Sequence, residues 1–522
     1  MAWLLTIALV LSLSASLLMV PLVRWFAHRV GMEDCPDSER KLHRKPIALG
    51  GGIAVLFSLV FAFVVTVIFD RKDGEMTLDF ISMRWYVLFW SAAAMLLVGL
   101  VDDIWALRGR QKLLLQCLII SAVVGSGTII NQVSVLGFDV QLGLFSYPIT
   151  VLWLLMAVNA LNLIDGADGM ATTAGCIISA GLAILSWQTG SWHSAVVGAA
   201  MTGALLGFLV FNRPPASIFL GDAGSMMIGL FVGVLAVWSN VKESTVLASA
   251  PVAVLALPLF DSTAAIVRRW LTGRSIYATD RGHLHHLLQE KFGSAKMLIV
   301  VASLSVVTTL LSVLSVSLAM PWLAGVGVLV VFGFLVFTRS FGHAECQLVV
   351  GRGKNFAKSF LTRLENTEQH KLQTRVPLQG SGDWDTVWEP LVEFAKSRGL
   401  AKVRIDLNLS WLHEGYHATW NSIRLPEKAC QLVIRLPLFT KRKSDGEQVS
   451  IGILEIVAPA NDPTIYHRIA DLSERLVALG PEIDAVIDDL ESSHQNKGRK
   501  DEGMPDPPRA LKPRAETVSS SS

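Results

Sequence analysis

Residues 147–169, YPITVLWLLMAVNALNLIDGADG, carry the reading of the fold. The first half is apolar enough for a helix in hydrocarbon. The second half sets Asn159, Asn162, Asp165 and Asp168 at the end of that helix. Amides and carboxylates at membrane depth are costly, so where they persist they mark function. Working outward, apolar runs recur at 3–22, 47–69, 85–101, 112–130, 171–188, 193–211, 224–239, 245–266, 296–316 and 320–338. With 147–163 they predict an all-α polytopic membrane bundle of about eleven transmembrane helices, each near the roughly 20 residues a span needs.

Composition agrees. Of 522 residues, 52% are hydrophobic and 17% charged, and the mean hydropathy is +0.48. These values exclude a disordered, collagen-like or disulfide-stapled chain. A net charge of +2 gives no electrostatic footprint for nucleic acid. The charge is unevenly placed: residues 1–340 hold 21 Lys/Arg and 18 Asp/Glu, whereas 341–522 hold 24 and 25. The expected domains are therefore a membrane-embedded domain over 1–340, a soluble C-terminal cytoplasmic α+β domain over 341–493 and a disordered tail over 494–522. In the soluble part, 385–397 has helical spacing. KVRIDLNL (402–409), CQLVIRLPLF (430–439) and VSIGILEIVAP (449–459) read as strands, and 465–491 reads as an amphipathic helix kinked near Pro481. His413, His417 and His467 read as surface histidines. The five cysteines, Cys35, Cys117, Cys176, Cys346 and Cys430, form no CxxC pair, so they signal neither zinc nor redox chemistry.

The first apolar run lacks the basic start of a signal peptide; Arg24 and Arg29 follow it instead, so it reads as a retained helix. Loops 23–46, 102–112, 212–223 and 267–296, together with Arg339, carry 17 basic residues, against Arg71, Lys72, Arg84 and Lys242 on the other side. The richer side is expected in the cytoplasm, with the N-terminus outside and the soluble domain inside.

That same side collects Asp102 and Asp103, the Asn159–Asp168 stretch, Asp222 in FLGDAGS, Asp261, and His283, His285 and His286 in GHLHH. Taken singly, each motif has a bland reading as a cap, a turn or an exposed loop; their placement on one face points to a site. Hard oxygen donors suit Mg²⁺ shared with substrate phosphates. Glycines in DGADG and GDAGS permit close approach of a ligand, and a helix starting at GDAGS presents free N–H groups to an anion. Phosphate chemistry with a metal is the expectation.

DCPDSERKLHRKPIALGGG (34–52), VGLVDDIWALRGRQKLLLQ (98–116), NALNLIDGADG (159–169), FLGDAGS (219–225) and DRGHLHH (280–286), in that order, resemble the polyprenyl-phosphate N-acetylhexosamine-1-phosphate transferases of glycosyltransferase family 4. The resemblance covers about residues 1–340 and is nearest the bacterial branch using UDP-GlcNAc and undecaprenyl phosphate. It implies an enzyme that passes HexNAc-1-phosphate from a UDP-N-acetylhexosamine to undecaprenyl phosphate in membrane lipid, releasing UMP. Mg²⁺, or Mn²⁺ in its place, is the implied cofactor, and a homodimer is admitted. By the same resemblance Asp222 and Asn162 are metal ligands, and Asp102, Asp103 and Asp165 are catalytic. Asp168, Phe219, His283, His285, His286, Lys41 and His43 bind substrate. Direct attack and a covalent Asp intermediate both stay open. Ala106 stands where the family often has a third acidic residue, and Ala48 where a second proline is common. Arg108, Arg110 and Lys112 follow the Asp pair at a spacing that argues against a MurNAc-pentapeptide substrate.

A multi-pass transporter with a regulatory tail is the competing class. It predicts inverted repeats and polar residues at the midplane, whereas here the polar residues sit at helix ends on one side.

Overall fold

The computed structural model describes residues 2–34, 46–69, 71–72, 75–76, 82–135, 138–239, 249–272, 282–343, 345–347, 349–350, 353, 372–379, 382–412, 414–422, 430–441, 448–460, 467, 471 and 480–492. The chain divides into two compact units, Met1–Val349 and Val350–Ser522.

The first unit is helical: α1 (Ala2–Val30), α2 (Gly51–Phe69), α3 (Met83–Trp105), α4 (Gly109–Gly125), α5 (Ser146–Leu163), α6 (Met170–Gln188), α7 (Trp192–Asn212), α8 (Gly221–Trp238), α9 (Ser249–Val254), α10 (Ala256–Thr272), α11 (Leu284–Phe292), α12 (Ser294–Ser317) and α13 (Trp322–Phe337). Among the described residues, eight stretches are long and apolar enough to cross a membrane: α1, α2, α3, α5 with the turn before it, α6, α7, α8 and α12. The unit is thus a multi-pass membrane bundle, but the count of about eleven is not reproduced by that measure. The run at 112–130 becomes α4, which opens on Arg110 and Lys112 and stops at Gly125. The last run gives a helix of 16 residues. The run at 245–266 is broken into α9 and α10 around Leu255. Pro258 explains the break, since it has no N–H to give the Val254 carbonyl four residues back. The Leu255 N–H instead closes a tighter turn on the Val252 carbonyl at 3.1 Å.

In lipid, helices are drawn together by close packing of small residues more than by the hydrophobic effect. Helix α8, almost wholly buried, lies at the centre. A Cβ added to Gly99 of α3 would stand 2.3 Å from Ala223 Cα, and one on Gly52 of α2 would stand 2.5 Å from Gly224 Cα. On α8 itself, a Cβ at Gly229 would lie 2.6 Å from Val158 Cα of α5. Backbone therefore touches backbone where α2, α3 and α5 meet the start and middle of α8. Elsewhere Gly203 and Gly207 of α7 lie against Ser12 and Ser16 of α1.

The second unit holds a five-stranded sheet, β1 (Leu372–Gln379), β2 (Lys402–Leu409), β3 (Glu414–Asn421), β4 (Gln431–Lys441) and β5 (Gln448–Pro459). Its order is β4-β5-β2-β3-β1 with every neighbour antiparallel. One face packs on helix α14 (Asp385–Ser397), through Trp388, Leu391 and Ala395, and on the helical residues 480–492, through Ile483, Ile487 and Leu490. The expected helix and three of the strands are present; β1 and β3 are additional. Much of the expected helix at 465–491, all of 494–522, and His413 lie outside the described residues. His467 is exposed, but His417 is a buried strand residue facing Asp406 across β2 and β3 at 3.4 Å.

Glu455 of β5 is buried, yet it accepts from Lys402 Nζ at 3.0 Å and from Arg435 Nε at 3.0 Å on the two neighbouring strands. Burial alone raises its carboxyl; the Lys402 hydrogen bond, the Arg404 and Lys402 charges and the Arg435 hydrogen bond outweigh burial and hold it below its ordinary value of 4.5. A depressed folded-state pKa stabilises fully above the unfolded value and is lost as pH falls through the folded value. Amide protection of β2 and β5 in the full chain should therefore hold at neutral pH and fall only as pH drops below 4.5. Glu455→Gln should cost about 1–3 kcal/mol at pH 7 and remove that pH step; an unchanged step in the variant would assign it to another group.

Candidate active site

The site is built from the ends of α3, α5 and α8 and the start of α4. Helix α3 stops because Ala106 takes a left-handed conformation, φ 48°, as the chain turns toward α4. The Asp102 carboxylate secures that turn by accepting the Leu107 N–H at 2.7 Å, and its other oxygen lies 2.8 Å from Lys112 Nζ. Asp103 points differently. It accepts the N–H of Asp222 at 2.9 Å and of Ala223 at 3.3 Å, so it caps α8 from a neighbouring helix and meets two of the orphan donors every helix start presents. Gly221, at φ 72°, permits this contact, because a Cβ there would stand 2.5 Å from Asp103 Oδ2.

Lys112 is the hub. Its ammonium contacts Asp102 Oδ2, Asn162 Oδ1 at 3.0 Å and Asp222 Oδ2. Asn162 in turn donates to Asp222 Oδ1 at 2.7 Å and to Ser225 Oγ at 3.1 Å. One turn along each helix, Asn159 Nδ2 donates to Gln116 Oε1 at 3.0 Å. Lys112, Gln116 and Ser225 were not among the residues expected from sequence. The spacing of Lys112 and Gln116, one helical turn apart on an otherwise apolar helix, was the available signal.

Asp165 and Asp168 follow in the turn between α5 and α6. Asp168 Oδ2 accepts the Ala216 N–H at 2.9 Å, tying this turn to the loop before α8. On that loop the Phe219 N–H donates to the Ala48 carbonyl at 2.9 Å, and the Phe219 carbonyl accepts the Gly51 N–H at 3.0 Å. Burial, followed by the carboxylates of Asp222, Asp103 and Asp168, pushes the Asp165 carboxyl well above the usual carboxylate range.

The histidines reach the same turn from the other side. Asp261 of α10 is buried and accepts the Leu284 N–H at 2.8 Å; His283 Nδ1 lies 3.2 Å from Asp261 Oδ2. His285 lies on Gly166, where a Cβ would meet its Nε2 at 2.3 Å. Its ring runs parallel to that of His283, with centroids 5.8 Å apart, and is 4.1 Å from that of His286. Burial, then the neighbouring His286 and His283, pushes the His285 imidazole down to about 3. It is neutral, and its Nδ1 has no hydrogen-bond partner among the described residues. Lys41 and His43 lie outside the described residues.

Two carboxylates, Asp102 and Asp222, thus share one largely covered ammonium, with Asp103 against the Asp222 N–H beside them, a field that repels phosphate unless further cationic charge is present. Among the described residues, no three His, Cys, Asp or Glu side chains form a closed metal cage. Mg²⁺ asks for less: one or two carboxylates, with water and substrate phosphates completing its shell. Asp222, Asn162 and Asp102, whose oxygens already converge on a cation, fit that requirement.

The model of glycosyl transferase family 4 matches residues 85–240. A probable undecaprenyl-phosphate N-acetylglucosaminyl 1-phosphate transferase of Bacillus subtilis (strain 168) is 30% identical over 357 residues, 68% of this chain and 95% of the relative. The chain belongs to glycosyl transferase family 4. It is an enzyme of the sugar-phosphate transferase type. A phospho-N-acetylmuramoyl-pentapeptide-transferase of Shouchella clausii is 31% identical over 307 residues, 55% of this chain and 90% of the relative. A decaprenyl-phosphate N-acetylglucosaminephosphotransferase of Mycobacterium tuberculosis (strain ATCC 25618 / H37Rv) is 31% identical over 293 residues, 51% of this chain and 71% of the relative. The family match ends between Asp222 and Asp261, so the histidine loop extends the site beyond it.

The geometry gives Asp103 a testable role. Asp103→Ala removes both acceptors at the start of α8 and should cost about 1 kcal/mol or more; Asp103→Asn keeps one acceptor and should cost less. Melting temperatures in detergent check this. An Asp103→Ala protein that melts like the wild type yet transfers nothing would make Asp103 a reacting group instead of a cap.

Proposed function

We propose that the protein transfers GlcNAc-1-phosphate from UDP-GlcNAc to undecaprenyl phosphate at the cytoplasmic membrane face and releases UMP. The observation that carries this reading is the convergence of the Lys112 ammonium with Asp102, Asn162 and Asp222 at one end of the bundle, in a family of sugar-phosphate transferases. The cytoplasmic orientation follows from the excess of Lys and Arg on the loops of that end.

In this reading a phosphate oxygen of the lipid attacks the sugar-bearing phosphorus of UDP-GlcNAc. The bond from that phosphorus to the bridging oxygen breaks, and the oxygen leaves with UMP, taking the bonding electron pair. Asp222 and Asn162, with Asp102 beside them, hold a divalent cation, Mg²⁺ or Mn²⁺, which supplies charge neutralisation of the diphosphate when bound. Lys112 adds a fixed positive charge beside the reacting phosphates. Asp102 accepts the proton of the lipid phosphate. Asp168 and Phe219 flank the uridine, Asp165 stands with Asp102 and Asp103 as a catalytic carboxylate, and His283, His285 and His286 border the diphosphate and sugar. His285, being neutral, donates or accepts one hydrogen bond there without adding charge.

Membranes containing the full chain, given undecaprenyl phosphate with labelled UDP-GlcNAc, UDP-GalNAc or UDP-MurNAc-pentapeptide in separate incubations, should form lipid product and UMP with UDP-GlcNAc, the product being undecaprenyl-diphosphate-GlcNAc. Product from UDP-MurNAc-pentapeptide alone would reassign the substrate. Chelation with EDTA should stop the reaction and added Mg²⁺ restore it. Asp222→Asn should lower kcat about a hundredfold or more while the protein still inserts; normal Mg²⁺-dependent UMP release by that variant would remove Asp222 from the metal site. Asp102→Asn should lower kcat more than it raises KM for the UDP-sugar, because a base acts in the transition state. The reverse pattern would make Asp102 a binding residue.

A further inference from the structure

A second buried ion pair lies outside the carboxylate cluster. Arg268 of α10 is 3% exposed, Glu345 is 8% exposed, and the guanidinium donates to the Glu345 carboxylate. Buried charges cost several kcal/mol each unless they are paired and hydrogen-bonded, so both groups hold each other in place.

The Arg268 guanidinium also covers Gly282. A Cβ at that position would stand 2.6 Å from Arg268 Cζ and 2.7 Å from Nη2. Gly282 immediately precedes His283, whose ring meets Asp261 two turns earlier on the same helix α10. The chain entering α11 is thus gripped at two successive residues, Gly282 by Arg268 and His283 by Asp261. The other end of α11 is held as well: Lys291 Nζ donates to the Thr338 carbonyl at 2.7 Å and to Ser340 Oγ at 3.0 Å. Ser340 and Phe341 are buried, and Phe341 joins the main apolar core. Residues 338–343, with Glu345 beyond them, therefore link the end of α13 past α11 to α10 as a strap.

We propose that Arg268 and Glu345 are positioning residues for the transfer reaction: their ion pair fastens this strap and so sets His283, His285 and His286 over the Gly166 turn. The proposal rests on the reading of those histidines as substrate-facing. It also places the limit of the transferase machinery beyond Arg339, since a chain ending there loses Glu345 and half of the fastening.

The test uses the full chain in detergent or membranes with two variants. Glu345→Gln keeps shape and removes the charge. Gly282→Ala keeps both charges and displaces the guanidinium from the loop. In each, amide exchange across residues 282–292 should accelerate while α5 and α8 keep wild-type protection. The kcat for UDP-GlcNAc should fall about tenfold or more, because small misplacement of positioning groups is costly in rate, while KM for undecaprenyl phosphate stays near wild type. Glu345→Asp should recover part of the lost kcat. Wild-type exchange across 282–292 in either folded variant, acceleration spread evenly over the whole bundle, or an unchanged kcat would overturn the proposal. If the wild-type protein transfers no sugar phosphate to lipid yet the local exchange change appears, the transferase reading fails and the fastening of the loop stands.

Discussion

A single ammonium, that of Lys112, sets the terms for the carboxylate-rich end of the bundle. It is largely withdrawn from water, and its three oxygen partners come from α3, α5 and α8 while the lysine itself begins α4. A charge in that position is tolerable only while all four helices keep their places. The same requirement shapes the neighbouring groups: Asp103 holds the start of α8, Asn162 crosses from α5 to Asp222, and Asp168 draws in the loop before α8. The acid-rich site is thus a set of interhelical bonds as well as a set of candidate reacting groups.

The helix break at Leu255 and the strap after α13 belong to a second, softer part of the design. Where the α3–α5–α8 cluster is joined by backbone contact, the histidines are carried on a short helix held by side chains: Asp261, Arg268 and Lys291. That division leaves the carboxylate cluster fixed by backbone packing while the histidines are borne by an element that can be adjusted separately.

How much of this was legible in the sequence varies with the physics. Carboxylates and amides at helix ends stood out because hydrocarbon makes them expensive, and the structure brings Asp102, Asp103, Asn162, Asp165, Asp168, Asp222 and the histidines to one region as their shared side had suggested. Lys112 did not stand out, because a lysine at the first turn of an apolar helix reads equally well as one whose ammonium reaches for the interface. The Asp102–Asp103 pair gave no hint that its members diverge, since adjacent residues on a helix point about 100° apart and only the partner helix shows which one turns inward. Pro258 is what splits the ninth run, because a proline in an apolar helix denies an N–H to the carbonyl four residues back. In the second unit, Pro377 and the single charge Arg375 of β1 hid a strand, and His417 looked like a surface residue because Asp406, the partner that lets it be buried, lies eleven residues away on another strand.

The backbone contacts of Gly52 and Gly99 with α8 have an outcome for anyone reading a mutational scan. Gly99 sits three residues before Asp102, and Ala223, the residue it touches, follows Asp222. Any side chain larger than hydrogen at 99 or 52 pushes on the helix start that carries Asp222. Such substitutions would register as total loss of turnover in a protein that still reaches the membrane, and a map of sensitive positions would draw the active site too wide by a layer of glycines. The size of that layer measures how little clearance the bundle leaves around its chemistry.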